Sequence, residues 1–477
     1  SGTAADTGDA PASAEMAKIP VTTASDEARD LYMQGRQLAD DLLFVEANEL
    51  FLQAVAIDNS FAMGHYMSAV SAQTNADFFD AIAKANDLKG NASEGEQLII
   101  TALFAASEND QVAQRAALEE LLALYPGDER AHVGMANFLN GQQDFEGATA
   151  HFEHAVQIAP EFATAHNALG YAYRTLEDFD KARASFERYV ELIPGEANPY
   201  DSLAELLMEM GNYDESIENY RKALAINEYF AASYAGLTIN YSLKGEADLA
   251  QEAADQMLAA ARNFGERQGA LFRSITSHLF AGNTDAAMEV AGLLYAEAEV
   301  AGNHSAMGGV SEYMGDIMMV VGEATEAEQY FDSALDHRLQ ADINEASKTA
   351  AARAHLFKTA IAAMIGGESE TAATRTAEYL VAVEAAGTAF EKRRGHELSA
   401  YLAMSNEDFD SAAAHFDSAS QLNPIVLYWS AVVNQELGNL DKARDLADRA
   451  ANRNTLSGNL PFFRSAAAGL SEELATE

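Results

Sequence analysis

A period of 34 residues constrains this chain more than any other feature. Three consecutive stretches, beginning at Glu129, Ala163 and Ala197, fall into register over residues 129–230. The eighth position is small each time: Ala136, Gly170, Ala204. The eleventh is large and apolar (Leu139, Tyr173, Leu207), and the twentieth is small again (Ala148, Ala182, Ser216). The twenty-fourth is aromatic (Phe152, Phe186, Tyr220), and the thirty-second reads Pro160, Pro194, Glu228. Self-similarity at such a stride means one supersecondary unit repeated along the chain, stacked on its neighbours, rather than separate globular cores.

The residue types explain the stride. Small side chains at positions 8 and 20 let two antiparallel helices approach closely, and the large residues at 11 and 24 fill the space beside that contact. Proline near position 32 cannot continue a helix, so it closes one unit and opens the next. Pro126, Pro160, Pro194 and Pro424, four of the eight prolines, stand there. This pattern resembles the tetratricopeptide repeat, a helix–turn–helix unit of 34 residues. The resemblance implies an all-α solenoid: a right-handed superhelix of about twelve hairpins and two dozen helices that binds proteins or peptides.

The clearest units are 28–61, 129–162, 163–196, 197–230, 308–341 and 393–424. Besides the residues named above, they are marked by Gly35, Ala47 and Phe51, by Gly315, Ala327 and Phe331, and by Ala412, Phe416 and Pro424. A second unit from Ala62 is cut short near Leu88–Asn91, a third runs Gly95–Asp128, and a further one starts at Ala231. Between Glu266 and Gly387 the register loosens, and helices longer than standard are expected, as over 344–365. The organisation read from this is a leader over 1–25, free or docked, a solenoid over 26–456, and a terminal capping helix and tail over 457–477. Within hairpins, turns such as Gly211-Asn212-Tyr213-Asp214 and Gly438-Asn439-Leu440-Asp441 predict a left-handed glycine followed by an aspartate that caps the next helix.

Acidic residues outnumber basic ones, 74 to 30, for a formal charge of −44. Such a field repels phosphate backbones and anionic lipid, so nucleic acid and bare membrane are poor partners and neither is expected. No apolar run reaches the length needed to span a bilayer, so no direct membrane insertion is expected. Cysteine is absent, which removes disulfides, thiolate metal sites and cysteine nucleophiles. The small, polar leader and a first residue other than methionine point to an exported protein, periplasmic, cell-surface or extracellular, with a processed N-terminus.

No HExxH, GxSxG, Walker or GxGxxG motif is present, and no carboxylate pair stands apart from the many others. His151 and His154, three apart at positions 23 and 26 of their unit, read as surface histidines. No enzyme, cofactor or metal is expected. The family resemblance implies instead a concave groove lined by positions 2, 5, 9, 12 and 13. These positions give Asn137 and Asn140, then Asn167, Tyr171 and Arg174, then Asp201, Glu205 and Glu209. Asparagine both donates and accepts, so it can hold a peptide backbone without reading its side chains. The lysine-rich clamp that some family members use for a carboxylate tail is not matched. Two roles remain open: capture of a partner peptide or protein in the groove, and end-to-end assembly of copies into an extracellular filament or surface layer, with the leader docking on a neighbour.

Overall fold

The computed structural model describes residues 18–41 and 43–476, and among these are 25 α-helices and no strand. The helices pair as antiparallel hairpins in two compact units, residues 1–199 and 200–477, the division falling in the first turn of α11. Unit 1 holds α1 (Asp26–Asp40) with α2 (Phe44–Ile57), α3 (Ala62–Val70) with α4 (Asn75–Leu88), α5 (Glu94–Ser107) with α6 (Gln111–Leu124), α7 (Glu129–Gly141) with α8 (Phe145–Ile158), and α9 (Ala163–Thr175) with α10 (Phe179–Leu192).

Unit 2 opens with α11 (Ala197–Glu209), α12 (Tyr213–Ile226), α13 (Ala231–Leu243) and α14 (Ala247–Ala260). Longer helices follow: α15 (Phe264–Phe280), α16 (Thr284–Val300), α17 (His304–Val321), α18 (Ala324–Gln340), α19 (Glu345–Ile365) and α20 (Ser369–Ala386). The unit ends with α21 (Ala389–Ser405), α22 (Phe409–Ser418), α23 (Pro424–Glu436), α24 (Leu440–Asn452) and α25 (Arg464–Thr476).

The period is built from one repeated contact. Position 8 of the first helix faces the aromatic ring at position 24 of the second, and both are buried. A β-carbon on Gly170 would stand 2.7 Å from Cε1 of Phe186. Phe186 itself is fully buried. Elsewhere alanine fills the same place, as Ala136 does above Phe152, and Ala412, Phe416, Ala327 and Phe331 are likewise buried. Within each unit the core is therefore a series of clusters shared between successive hairpins.

The turns inside the hairpins follow a rule of their own. From α5/α6 onward each has one residue at positive φ, followed at once by the N-cap of the second helix. In four turns that residue is Asn109, Gln143, Glu177 or Glu407, and the next residue is an aspartate whose side chain accepts from the helix: Asp110, Asp144, Asp178 or Asp408. In the other six it is glycine, and the N-cap makes no side-chain bond. Left-handed backbone disfavours residues with a β-carbon. An aspartate cap offsets that penalty where glycine is missing.

This corrects the expected role of the aspartates in the glycine turns. Asn212 and Asn439 are the N-caps, while Asp214 and Asp441 lie inside the first helical turn. There they face the positive end of the helix without closing it. Asp214 accepts instead from Lys244 Nζ at 2.8 Å.

Candidate partner-binding surface

On α7, Asn137 and Asn140 are exposed. On α9, Asn167 is half-buried, and its Oδ1 is shielded from solvent with no hydrogen-bond partner. Tyr171 presents its ring edge-on to Phe186, with centroids 5.0 Å apart, while the Arg174 guanidinium stacks 4.7 Å from the Tyr171 ring. Exposed amides, an unsatisfied carbonyl and a stacked cation thus share two adjacent first helices of unit 1. They can donate to and accept from a peptide backbone and cover an apolar or aromatic side chain.

Position 2 of these two repeats does something else. Arg130 places its Nη1 and Nη2 at 2.8 and 2.6 Å from the two carboxylate oxygens of Asp40, at the far end of α1. Its guanidinium also lies 4.7 Å from the Phe162 ring. Thr164 donates its hydroxyl to the main-chain carbonyl of Asp40. The winding of unit 1 therefore brings its first hairpin onto its fourth and fifth.

The described part of the leader, residues 18–25, lies on the same unit. The Ile19, Thr22 and Ala24 amides donate to Asp128 Oδ2 (3.0 Å), Glu96 Oε1 (2.8 Å) and Asp58 Oδ2 (3.1 Å). Lys18 reaches the Gly127 carbonyl at 2.9 Å and pairs with Glu129. Bonds from Ser60 and Thr23 hold the Asp58 carboxyl down to about 2. Three carboxylates thus take main-chain N–H groups from an irregular segment. Residues 1–17 of the leader lie outside the described residues.

The α11 residues of the anticipated groove meet their own chain. Asp201 is buried and accepts from Ser233 Oγ on α13 at 2.7 Å. Burial, against that bond, pushes its carboxyl up to about 7. Glu205 and Glu209 are half-buried. Glu209 lies 3.9 Å from Arg453, in the connector between α24 and α25. That connector, 453–463, runs along the first helices of unit 2. The Asn454 amide donates to the carbonyls of Met208 (3.0 Å) and Glu209 (3.3 Å), and its Oδ1 accepts from Tyr213 (3.2 Å). Arg273 donates to the Leu456 carbonyl at 2.8 Å and Tyr313 to that of Gly458 at 2.5 Å. Leu460 is fully buried, and Phe462 packs 5.6 Å from Tyr313. The run Leu460-Pro461-Phe462-Phe463, apolar in an otherwise polar linker, is the signal sequence reading passed over.

His151 also differs from expectation. Its Nδ1 lies 3.1 Å from Nδ1 of His132 on α7, so it faces its hairpin partner, while His154 is exposed as expected. Among the described residues no group of three or more histidines, aspartates or glutamates converges as a metal site. Among them, too, no helix is long and apolar enough to cross a membrane. An open depression of about 610 Å³ on α1 and α2, lined by Glu27, Asp30, Leu31 and Gln53 among others, contains none of the anticipated site residues.

Family models described as tetratricopeptide repeat match residues 128–194, 197–230 and 398–457. No curated protein matches the sequence. Among solved structures, a tetratricopeptide repeat protein from Parabacteroides merdae is 14% identical, covers 56% of this chain and 98% of its own, and has a TM-score of 0.41. PilW, a type IV pilus biogenesis factor, is 18% identical over 42% of this chain and 92% of its own, at 0.36. YrrB, described as having an unusual peptide-binding site, is 17% identical over 37% and 89%, at 0.28. At these identities and TM-scores the likenesses carry no functional argument.

Proposed function

This chain is a tetratricopeptide repeat protein and a protein-interaction scaffold, and from that premise we propose that unit 1 holds an extended segment of a partner along α7 and α9. Asn137, Asn140 and Asn167 take the partner's backbone, and the Tyr171–Arg174 stack takes one of its side chains. The observation that carries this reading is Asn167, whose buried Oδ1 lacks a hydrogen-bond partner beside exposed amides. A buried acceptor left unpaired is costly, and turning the Asn167 side chain outward onto an N–H of a bound segment relieves that cost. Asp201 and Glu209 of α11 lie outside this surface, because Asp201 accepts from Ser233 and Glu209 faces the connector. The role is non-enzymatic: it needs only hydrogen bonding and stacking.

The test is binding to a random-sequence peptide array. Peptides retained by the full chain are expected to bind the variant carrying Asn167→Ala, Tyr171→Ala and Arg174→Ala at least roughly tenfold more weakly, since several polar contacts are lost together. Equal retention by a variant with unchanged circular dichroism removes this surface from consideration.

A second reading has its own observation. The first hairpin exposes Met33, Val45, Leu52 and Ile57, each at least 40% accessible. Apolar side chains left open on one hairpin favour covering by another surface. We propose that copies stack end to end over this face, with the leader exchanged between neighbours. Light scattering should then find assemblies that dissociate when residues 1–25 are deleted or when Leu52 is changed to glutamate. Assemblies that survive both changes rule this arrangement out.

A further inference from the structure

The 34-residue register sets position 4 of a first helix against position 23 of its partner helix. In two hairpins both positions are histidine. His132 Nδ1 lies 3.1 Å from His151 Nδ1, and His396 Nδ1 lies 3.3 Å from His415 Nδ1. A third pair in the longer hairpin of α17 and α18, His304 and His337, meets in the same way at 3.1 Å.

Between neutral imidazoles such a contact is a single hydrogen bond. The separation is also the span of two nitrogen ligands on one metal ion. With metal–nitrogen bonds of about 2.0–2.1 Å, two ligands stand about 2.9 Å apart at a right angle and about 3.4 Å apart at the tetrahedral angle. The surroundings favour the same atoms. His132 Nε2 is 3.1 Å from the Pro126 carbonyl, so the ring proton sits on Nε2 and the Nδ1 lone pair points at His151. A backbone carbonyl on the far nitrogen is how metal-ligating histidines are usually oriented. His154, exposed one turn along α8, has its ring 5.3 Å from that of His132. The strongly acidic chain draws cations toward all of these sites.

We propose that His132 and His151 bind a borderline divalent transition metal, Zn²⁺, Ni²⁺ or Cu²⁺, through both Nδ1 atoms. Water fills the remaining positions, with His154 able to enter one after a side-chain rotation. The His304–His337 and His396–His415 pairs are further sites of the same kind, and each ion ties the two helices of its hairpin together. Imidazole selects these metals over Ca²⁺ and Mg²⁺, which prefer the carboxylates spread over the surface.

The full chain, stripped with a chelator, is titrated with Cu²⁺ and read by electron paramagnetic resonance and by thermal melting. The expected result is nitrogen hyperfine structure from the first equivalents and a rise in melting temperature that Ca²⁺ does not reproduce. In His132→Gln and His151→Gln one of the three nitrogen-coordinated equivalents should weaken by roughly tenfold or more, leaving the other two in place. His154→Gln should weaken it less. Circular dichroism of each variant without metal confirms its fold. Oxygen-only coordination, or an unchanged number of nitrogen-coordinated equivalents in the H132Q/H151Q double variant, overturns the proposal.

Discussion

The side-chain amide of Asn454 donates to the main-chain carbonyl of Met208 at 3.0 Å, joining residues 246 positions apart. Asn454 is only 3% exposed, and the hydroxyl of Tyr213 donates to its other amide atom. Replacing Asn454 with alanine removes its bonds to the Met208 and Glu209 carbonyls and takes an acceptor from the Tyr213 hydroxyl. The expected loss is about 2 kcal/mol in urea denaturation. It should come with faster proteolysis within 453–463, and an unchanged cleavage rate would mean that the connector is held by its apolar residues alone.

The Asp40–Arg130 pair predicts a smaller effect. Both side chains keep some solvent contact, 20% and 31% exposed, so screening reduces the interaction. The two-pronged geometry raises it again. A double-mutant cycle with Asp40→Asn and Arg130→Met should give a coupling of about 1 kcal/mol. A coupling within error of zero would show that the winding of unit 1 does not depend on this contact.

The turn rule is tested by exchanging its two solutions. Gln143 sits at φ 61°, and Asp144 accepts from the Gly147 amide at 3.0 Å. Gln143→Gly relieves the left-handed penalty and should stabilise by up to about 1 kcal/mol. Asp144→Ala should cost about 1 kcal/mol. Two repeats on, Asn212 makes no side-chain cap bond, so Asn212→Ala should fall within about 0.5 kcal/mol of wild type. Equal costs at Asp144 and Asn212 would refute the rule.

Asp201 gives a pH dependence of definite sign. Its carboxyl is raised by burial from 3.8 to about 7, so the folded state keeps a proton that the unfolded state releases. The stability from the protonated form is complete below about pH 4. It declines as pH rises and is gone above about 7. Asp201→Asn retains an acceptor for Ser233 without the charge. The variant should match wild type near pH 4 and exceed it at pH 8 by on the order of 2–4 kcal/mol. Urea denaturation across that range checks it, and a difference that does not vary with pH would contradict the assignment.

How far the sequence could be read depended on the distance over which each signal acts. Gly170 and Phe186 are sixteen residues apart within one hairpin, and a strict stride exposes such pairs directly. The stride blurs from α15 to α20 because those helices run 17 to 21 residues, against 13 or 14 in α7–α14. The longer helices shift every later position out of phase. Asp40–Arg130 and Asn454–Met208 depend on how tightly the stack winds, a cumulative rotation that no single repeat encodes. Asp201 was misplaced for the same reason: its position points inward, but inward at that hairpin meets Ser233. His132–His151 is legible in principle, since both fall on fixed positions of one unit, but the signal lies between two helices and not in the spacing along either one.

The tie at Asp40 has a mechanical consequence. In an ordinary stack each hairpin touches only its neighbours, so a pull on the ends opens it turn by turn, like a spring. Here the last residue of α1 is fastened to Arg130 and Thr164, at the starts of α7 and α9. Force entering through the first hairpin passes across the coil as well as along it. The first five hairpins therefore carry load as a stiff link, and they lengthen only after that fastening and the leader's bonds to Glu96 and Asp128 have given way.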